Sequence, residues 1–334
     1  MKALVTGGGG FLGSVIVRML RERGDSVCSF SRGSYPVLEL FGVEQVRGDL
    51  GDALAIAKAA DGCDAIFHVA AKAGVWGPWR EYYQANVVGT QNVLAACRTH
   101  GIRKLVYTSS PSVTFAGVDQ NGVDESEPYP KKFLAHYPHT KAIAEQAVLT
   151  ANGPDLATVA LRPHLIWGPG DPHIIPRLVE RARAGKLRQI GREPKLVDTT
   201  FVENAAQAHL QAADRLGIGS SIAGRAYYLS QGEPEPMWDF VNRVLSVHGL
   251  PPVTRSVSPR MAYLAGTILE WLYRLLPLGG EPPITRFVAK QLSTAHWYDL
   301  SAAKGDLGYE PRVSLAEGFR RLSDSLFRSE GPVS

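Results

Sequence analysis

The stretch Val5-Thr6-Gly7-Gly8-Gly9-Gly10-Phe11-Leu12-Gly13 constrains this chain more than any other, and it lies almost at the first residue. Lys2 to Val5 reads as a short buried strand, and Phe11 to Arg23 as a helix with an apolar face at Leu12, Val15, Ile16, Met19 and Leu20. Gly7, Gly10 and Gly13 punctuate the join. A turn this tight needs residues without a Cβ, and so does a backbone that touches a pyrophosphate. The helix that follows aims its unpaired N–H groups and positive dipole end at that phosphate. Phe11 and Leu12, at the start of that helix, belong to the same cradle. Strand before and helix after give the glycines the context of a dinucleotide site rather than of a bare turn.

The remaining strands follow in series. Ser26 to Ser31 is a second strand, ending in Phe30-Ser31-Arg32-Gly33. Dinucleotide folds that bind NAD place a carboxylate there to accept hydrogen bonds from the ribose. Here no acid is present and an arginine is, and a guanidinium pairs with a 2′-phosphate that a carboxylate would repel. Ser31 and Arg32 are therefore expected to select NADPH. Val43 to Gly48 is a third strand, followed by Asp49 and Leu50. Asp49 either sits beside the adenine or caps the helix that starts near Asp52. Ala65 to Val69 is a fourth strand running into Ala70, Ala71 and Lys72, where small residues let a cofactor pass over the strand ends. His68 reads as a hydrogen-bonded core histidine, and Lys72 as a solvated loop charge or a group facing the substrate.

Trp76 and Trp79 lie in a loop, as an apolar wall for a substrate or as surface tryptophans packed on a neighbour. Tyr83 to Arg98 reads as one long helix, on which Asn86 is a candidate bridge that both donates and accepts. Leu105 to Ser110 is the fifth strand, with Ser110 at its C-terminal end and Ser112 second in line for the same role. Asp124 to Glu127 reads as a solvated acidic loop. Tyr137 and Lys141 are four apart, so they share one helical face, and Pro138 suits a first turn. Leu156 to Leu161 and Arg225 to Ser230 complete the strands. Met261 to Leu278 is the most apolar segment, too short and too charged for a membrane span. It could be a core helix, a lid or wall over a long greasy substrate, or a surface that touches the bilayer, with lid or wall expected over bilayer contact.

Ser110, Tyr137 and Lys141 form a consistent set for hydride chemistry at a carbinol carbon. Ketone reduction needs a proton for the developing alkoxide. A tyrosine titrates near pH ~10 and needs tuning, which a neighbouring ammonium is expected to supply by stabilising the phenolate. The same lysine can hold the nicotinamide ribose, and Ser110 can donate to the substrate oxygen. Other chemistries lack support. The net charge of +4 is spread along 334 residues, with no basic block that would suit nucleic acid. Cys28, Cys63 and Cys97 are scattered, without metal or disulfide spacing, which fits a reducing cytoplasm. The first strand leaves no room for a signal peptide before it.

With these motifs in place, the chain resembles the extended short-chain dehydrogenase/reductase superfamily, in its 3β-hydroxysteroid dehydrogenase branch. The likeness is carried by Thr6 to Gly13, by Tyr137-Pro138-His139-Thr140-Lys141 and by Leu161-Arg162-Pro163. Ala71 to Gly77, Asp198 to Val202 and Gly280 to Phe287 are most similar to the β-keto acid reductases of bacterial long-chain olefin biosynthesis. Sterol 4-carboxylate dehydrogenases share most of these motifs. The resemblance implies an α/β fold, a doubly wound parallel sheet of Rossmann type over residues 1–167 and 196–230. A smaller, mostly helical substrate domain would take residues 168–195 and 231–334. It also implies Tyr137 as acid–base, Lys141 as its tuner, Ser110 as carbonyl donor and Pro163 beside the nicotinamide of NADPH. The implied substrate is a long-chain, two-tailed β-keto acid. A homodimer, a multi-enzyme contact and a peripheral membrane contact are left open.

Overall fold

The structure, a computed structural model, describes residues 1–276 and 278–329. Seven parallel strands make the central sheet: β1 (Lys2–Thr6), β2 (Ser26–Ser31), β3 (Glu44–Arg47), β4 (Ala65–His68), β5 (Lys104–Thr108), β6 (Ala157–Pro163) and β7 (Arg225–Leu229). Their order is β7-β6-β5-β4-β1-β2-β3. The order reverses at β1, whose Leu4 lies beside Cys28 of β2 on one side and Ile66 of β4 on the other. In an open α/β sheet the crevice at this reversal is where ligands bind. Parallel strands need crossovers, and helices on both faces supply them. That is why β6 is buried along its whole length and, apart from Thr158, reads as an apolar run until Arg162.

The principal helices are α1 (Phe11–Glu22), α2 (Ala53–Ala60), α3 (Gly89–His100), α4 (His136–Thr150), α5 (Ile174–Arg183), α6 (Val202–Arg215), α7 (Met237–Val247), α8 (Pro259–Leu275), α9 (Arg286–Gln291) and α10 (Leu315–Ser329). One face of the sheet packs on α1 and α6 through Ile16, Leu20, Ala205 and Leu210. The other packs on α2, α3 and α4 through Ile56, Val93, Ala144 and Val148. A third cluster, around Trp167, Phe201, Phe240 and Phe319, joins α5, α7 and α10 beyond the C-terminal strand ends. Asp171 caps α5, its carboxylate accepting from the N–H groups of His173, Ile174 and Ile175.

Three expectations need correction. The helix expected from Tyr83 is not uniform: residues Tyr83–Val88 form a π-turn that leads into α3. There the Thr90 hydroxyl donates to the Asn86 carbonyl, and the wider turn directs the Asn86 side chain inward. The acidic loop is not wholly solvated, because the Glu125 carboxylate accepts from the Tyr228 N–H on edge strand β7, and burial raises its pKa. Asp49 does not cap α2; Asp52 does, accepting from Leu54 and Ala55, while Asp49 accepts from Gly51. No helix among the described residues is long and apolar enough to cross a membrane.

Candidate active site

A cavity of about 810 Å³ runs along the C-terminal ends of the strands. Its floor is the glycine turn. Gly7 has φ +72°, which an L side chain rarely adopts, and a Cβ at Gly13 would lie 2.0 Å from the Gly7 carbonyl oxygen. The turn therefore closes only with glycine at both places. α1 begins after Gly10 with no side-chain cap and no acid in its first turn, so its leading N–H groups are free for an anion.

Gly7, Gly10, Phe11, Leu12 and Gly13 all line this cavity, as do Ser31, Arg32, Asp49, Leu50, Ala70, Ala71, Ser110, Tyr137, Lys141 and Pro163. Among the described residues no carboxylate pairs with the exposed Arg32, and beside it the Ser31 hydroxyl is buried without a hydrogen-bond partner. This hydroxyl and guanidinium stand at the end of β2, where a dinucleotide fold meets the adenosine ribose. A dinucleotide thus matches the residues present: helix N-terminus and glycines for the pyrophosphate, small Ala70 and Ala71 for close passage.

Asn86 is the exception among the expected cofactor residues. It is buried outside the cavity wall. Its carbonyl accepts from Lys72 N–H at 2.7 Å, and its amide donates to the Lys72 carbonyl at 3.1 Å and the Thr140 hydroxyl at 3.0 Å. It ties the loop after β4 to α4, with both amide protons used and its side chain out of the cavity.

The reacting end is built by α4 and the end of β5. Ser110 caps a short turn at Pro111–Val113. Its hydroxyl meets that of Ser112 at 2.9 Å and lies near enough to the Tyr137 phenol to act on its pKa. Ser112 is buried away from the cavity, so Ser110 holds the donor position. Burial raises the Tyr137 pKa above its ordinary value, and the Ser110 hydroxyl offsets part of that. Lys141 is buried; its ammonium donates to the Thr108 carbonyl at 2.6 Å and lies 4.2 Å from the Tyr107 ring centroid. Burial pushes its pKa down to about 7, opposed by Glu145. The expectation that Lys141 lowers Tyr137 therefore does not hold in this arrangement, because burial acts on both groups and dominates. His68 is a satisfied core residue between Thr6 and Thr90, at 2.8 and 2.9 Å, with its pKa lowered to about 3 by burial and by Lys141. Lys72 lines the cavity and pairs with Glu81 at 2.9 Å.

A second cavity, of about 630 Å³, lies between Trp76, Trp79, Phe133, His136 and Tyr273. Both tryptophans are wall and packing at once: Trp76 meets Tyr273 edge-on, and Trp79 packs on His136 and His139. α8 contributes Glu270, Tyr273 and Arg274, so part of the apolar segment is a wall as expected. Sequence reasoning missed Leu165, Asp171 and His173, which also line the first cavity. Leu165 has φ +41° and carried no signal, whereas Gly170-Asp171 before an apolar run is a readable helix start.

The sheet, the glycine turn and the Ser110/Tyr137/Lys141 set define the class: an oxidoreductase of the extended short-chain type. The chain belongs to the 3-beta hydroxysteroid dehydrogenase/isomerase family, whose model matches residues 4–259. It is 55% identical to a 2-alkyl-3-oxoalkanoate reductase of Stenotrophomonas maltophilia, over 97% of this chain and 99% of that one. It is 35% identical to the decarboxylating sterol-4-alpha-carboxylate 3-dehydrogenase of Mus musculus, over 97% and 91%. Among solved structures, the Thermus thermophilus UDP-glucose 4-epimerase complex with NAD matches with a TM-score of 0.74 and 25% identity, covering all of both chains.

Proposed function

We propose that the protein reduces the ketone of a 2-alkyl-3-oxoalkanoate, a long-chain β-keto acid, to the 2-alkyl-3-hydroxyalkanoate, with NADPH as reductant, in the making of olefinic hydrocarbons. The observation that carries the reading is the meeting of Ser110, Tyr137 and Lys141 in one cavity with the glycine turn, in a chain 55% identical to a reductase of that name. Gly7, Gly10 and Gly13 hold the pyrophosphate. Ser31 and Arg32 take the 2′-phosphate, and Lys141 takes the nicotinamide ribose. When bound, the reduced nicotinamide supplies the hydride. Ser110 donates to the substrate oxygen and fixes the carbonyl. Tyr137, held as a neutral phenol because burial raises its pKa, passes its proton to that oxygen as charge develops, and solvent reloads the phenolate. Segments drawn from residues 168–195 and 231–276 take the alkyl chains.

The test is a panel of long-chain 2-alkyl-3-oxoalkanoates and fused-ring sterol carboxylates, each assayed with NADPH, NADH and the oxidised cofactors. Turnover of the keto acids with a clear NADPH preference is expected. Turnover of the sterols alone would overturn the substrate, and an NADH preference would overturn the role of Arg32. Tyr137→Phe lowers kcat about 100- to 10,000-fold while cofactor affinity stays within a few-fold; unchanged kcat would remove Tyr137 from the mechanism.

A further inference from the structure

We propose that the outward face of α8 is a docking surface for an anionic lipid bilayer. Met261, Leu264, Ile268, Trp271 and Leu275 are spaced by three and four residues and so form one stripe along the helix. Their exposures are 66, 59, 51, 63 and 60%, where a helix of a globular protein ordinarily turns such a stripe inward. Leu276 and Leu278 extend the patch beyond the helix. The inward face is instead Ala262, Gly266 and Glu270. A Cβ on Gly266 would lie 2.7 Å from the Thr285 carbonyl carbon, so the helix rests directly on that backbone. The buried Glu270 carboxylate accepts from the Arg286 N–H at 2.7 Å and from its guanidinium at 2.8 and 3.0 Å. These contacts fix the roll of the helix and hold the apolar stripe toward solvent. A contiguous exposed patch of this kind marks an interaction surface.

Charge decides what covers it. Between residues 251 and 280 the charged side chains are Arg255, Arg260, Glu270 and Arg274, and the one carboxylate is buried. Gln189–Ile190 pairs with Ser256–Val257, and the Arg192 guanidinium donates to the Ser256 hydroxyl, adding a further cation near the start of the helix. Apolar side chains rimmed by cations, with a tryptophan among them, match acyl chains beneath anionic headgroups. A second copy of this chain fits poorly, because a two-fold contact would set the same cations against each other. No helix among the described residues can cross a membrane, so α8 lies along the surface instead of spanning it. The same helix walls the second cavity through Tyr273 and Arg274, which places lipid and cavity on two sides of one element.

The experiment is sedimentation of the full chain with vesicles of equal parts phosphatidylglycerol and phosphatidylcholine, and with vesicles of phosphatidylcholine alone, at about 0.1 M salt. The wild type is expected to sediment with the anionic vesicles, less with the neutral ones, and less at high salt. Leu264→Gln/Trp271→Gln lowers partitioning about tenfold or more, and Arg255→Glu/Arg260→Glu removes the preference for the anionic lipid. Thermal unfolding checks that each variant is folded; Trp271→Ala replaces the double variant if that one is not. A wild type that stays in the supernatant overturns the proposal. So does equal partitioning of wild type and folded patch variants, or a wild-type dimer in light scattering that the patch variant dissolves while vesicles bind neither. The readout needs no turnover, so it stands apart from the substrate assigned above.

Discussion

Lys141 is an amine that burial brings close to neutrality, and this has a consequence for stability. Its pKa is about 7 in the folded chain against an ordinary 10.5. Below pH 7 both folded and unfolded states carry the proton, and the unfavourable burial of the charge is felt in full. Between pH 7 and 10.5 the unfolded chain binds more protons than the folded one, so this group adds stability as pH rises, by at most about 1.4 kcal/mol per pH unit. Urea unfolding of Lys141→Met is therefore expected to show the variant gaining most over wild type at pH 7 and losing that advantage by pH 9.5. A difference that does not change with pH would mean the amine is not held near neutrality. The pairing of Tyr137 with Lys141 was legible in the sequence because four residues make one helical turn. Their electrostatics were not, since the Thr108 carbonyl and Tyr107 ring that receive the amine come from β5, more than thirty residues earlier.

Among the elements, α4 matters most, because it carries both reacting groups and must be held still against the sheet. Asn86 ties its Thr140 to the loop after β4. The Glu145 carboxylate accepts from Arg162 of β6 at 2.7 and 3.0 Å, with both side chains buried, and takes a third bond from the Tyr129 hydroxyl at 2.7 Å. Removing one partner of such a pair strands the other charge in the interior. Glu145→Gln is expected to lower the unfolding free energy by about 3–5 kcal/mol, while the double variant Glu145→Met/Arg162→Met loses less than either single change. Denaturant midpoints of Glu145→Gln, Glu145→Met, Arg162→Met and the double Met variant check this, and simple additivity in the Met cycle would show that the pair is not coupled. Elements whose shape is set by near neighbours were readable from the chain, as α1 shows: its glycine start and apolar face lie within the fourteen residues from Gly7 to Leu20. α8 shows the limit. Its composition announced an apolar helix, but the side turned to solvent was fixed by Thr285 and Arg286, a contact that no local pattern encodes.

At the scale of the molecule, four buried histidines lie at junctions spread through the fold. His68 bridges β4 and α3 through Thr90, and His209 of α6 meets Thr108 of β5 at 2.8 Å. His164, after β6, donates to the Asp198 carbonyl, and His296 donates to that of Gln291. Burial lowers all four pKa values, to about 3 for His68 and about 4 for His209, and well below the ordinary value for His164. Each ring is therefore neutral in the folded chain at a pH where the unfolded chain has already taken up a proton. Stability from these groups is complete above about pH 6.5 and is lost as the pH falls below it, at about 1.4 kcal/mol per pH unit for each ring. His68, His164 and His209, whose shifts are large, together remove roughly 4 kcal/mol per unit below pH ~6, against a total of about 5–15 kcal/mol for an ordinary domain. The chain is expected to lose stability steeply on acidification below pH ~6. Urea midpoints at falling pH give the proton uptake on unfolding, to which His68, His164 and His209 are expected to contribute nearly three at about pH 5.5. A His209→Asn variant with the same proton uptake as wild type would mean that this ring is charged in the folded protein, because carboxylates whose pKa burial raises, such as Glu125 and Asp198, offset the total uptake but not this difference.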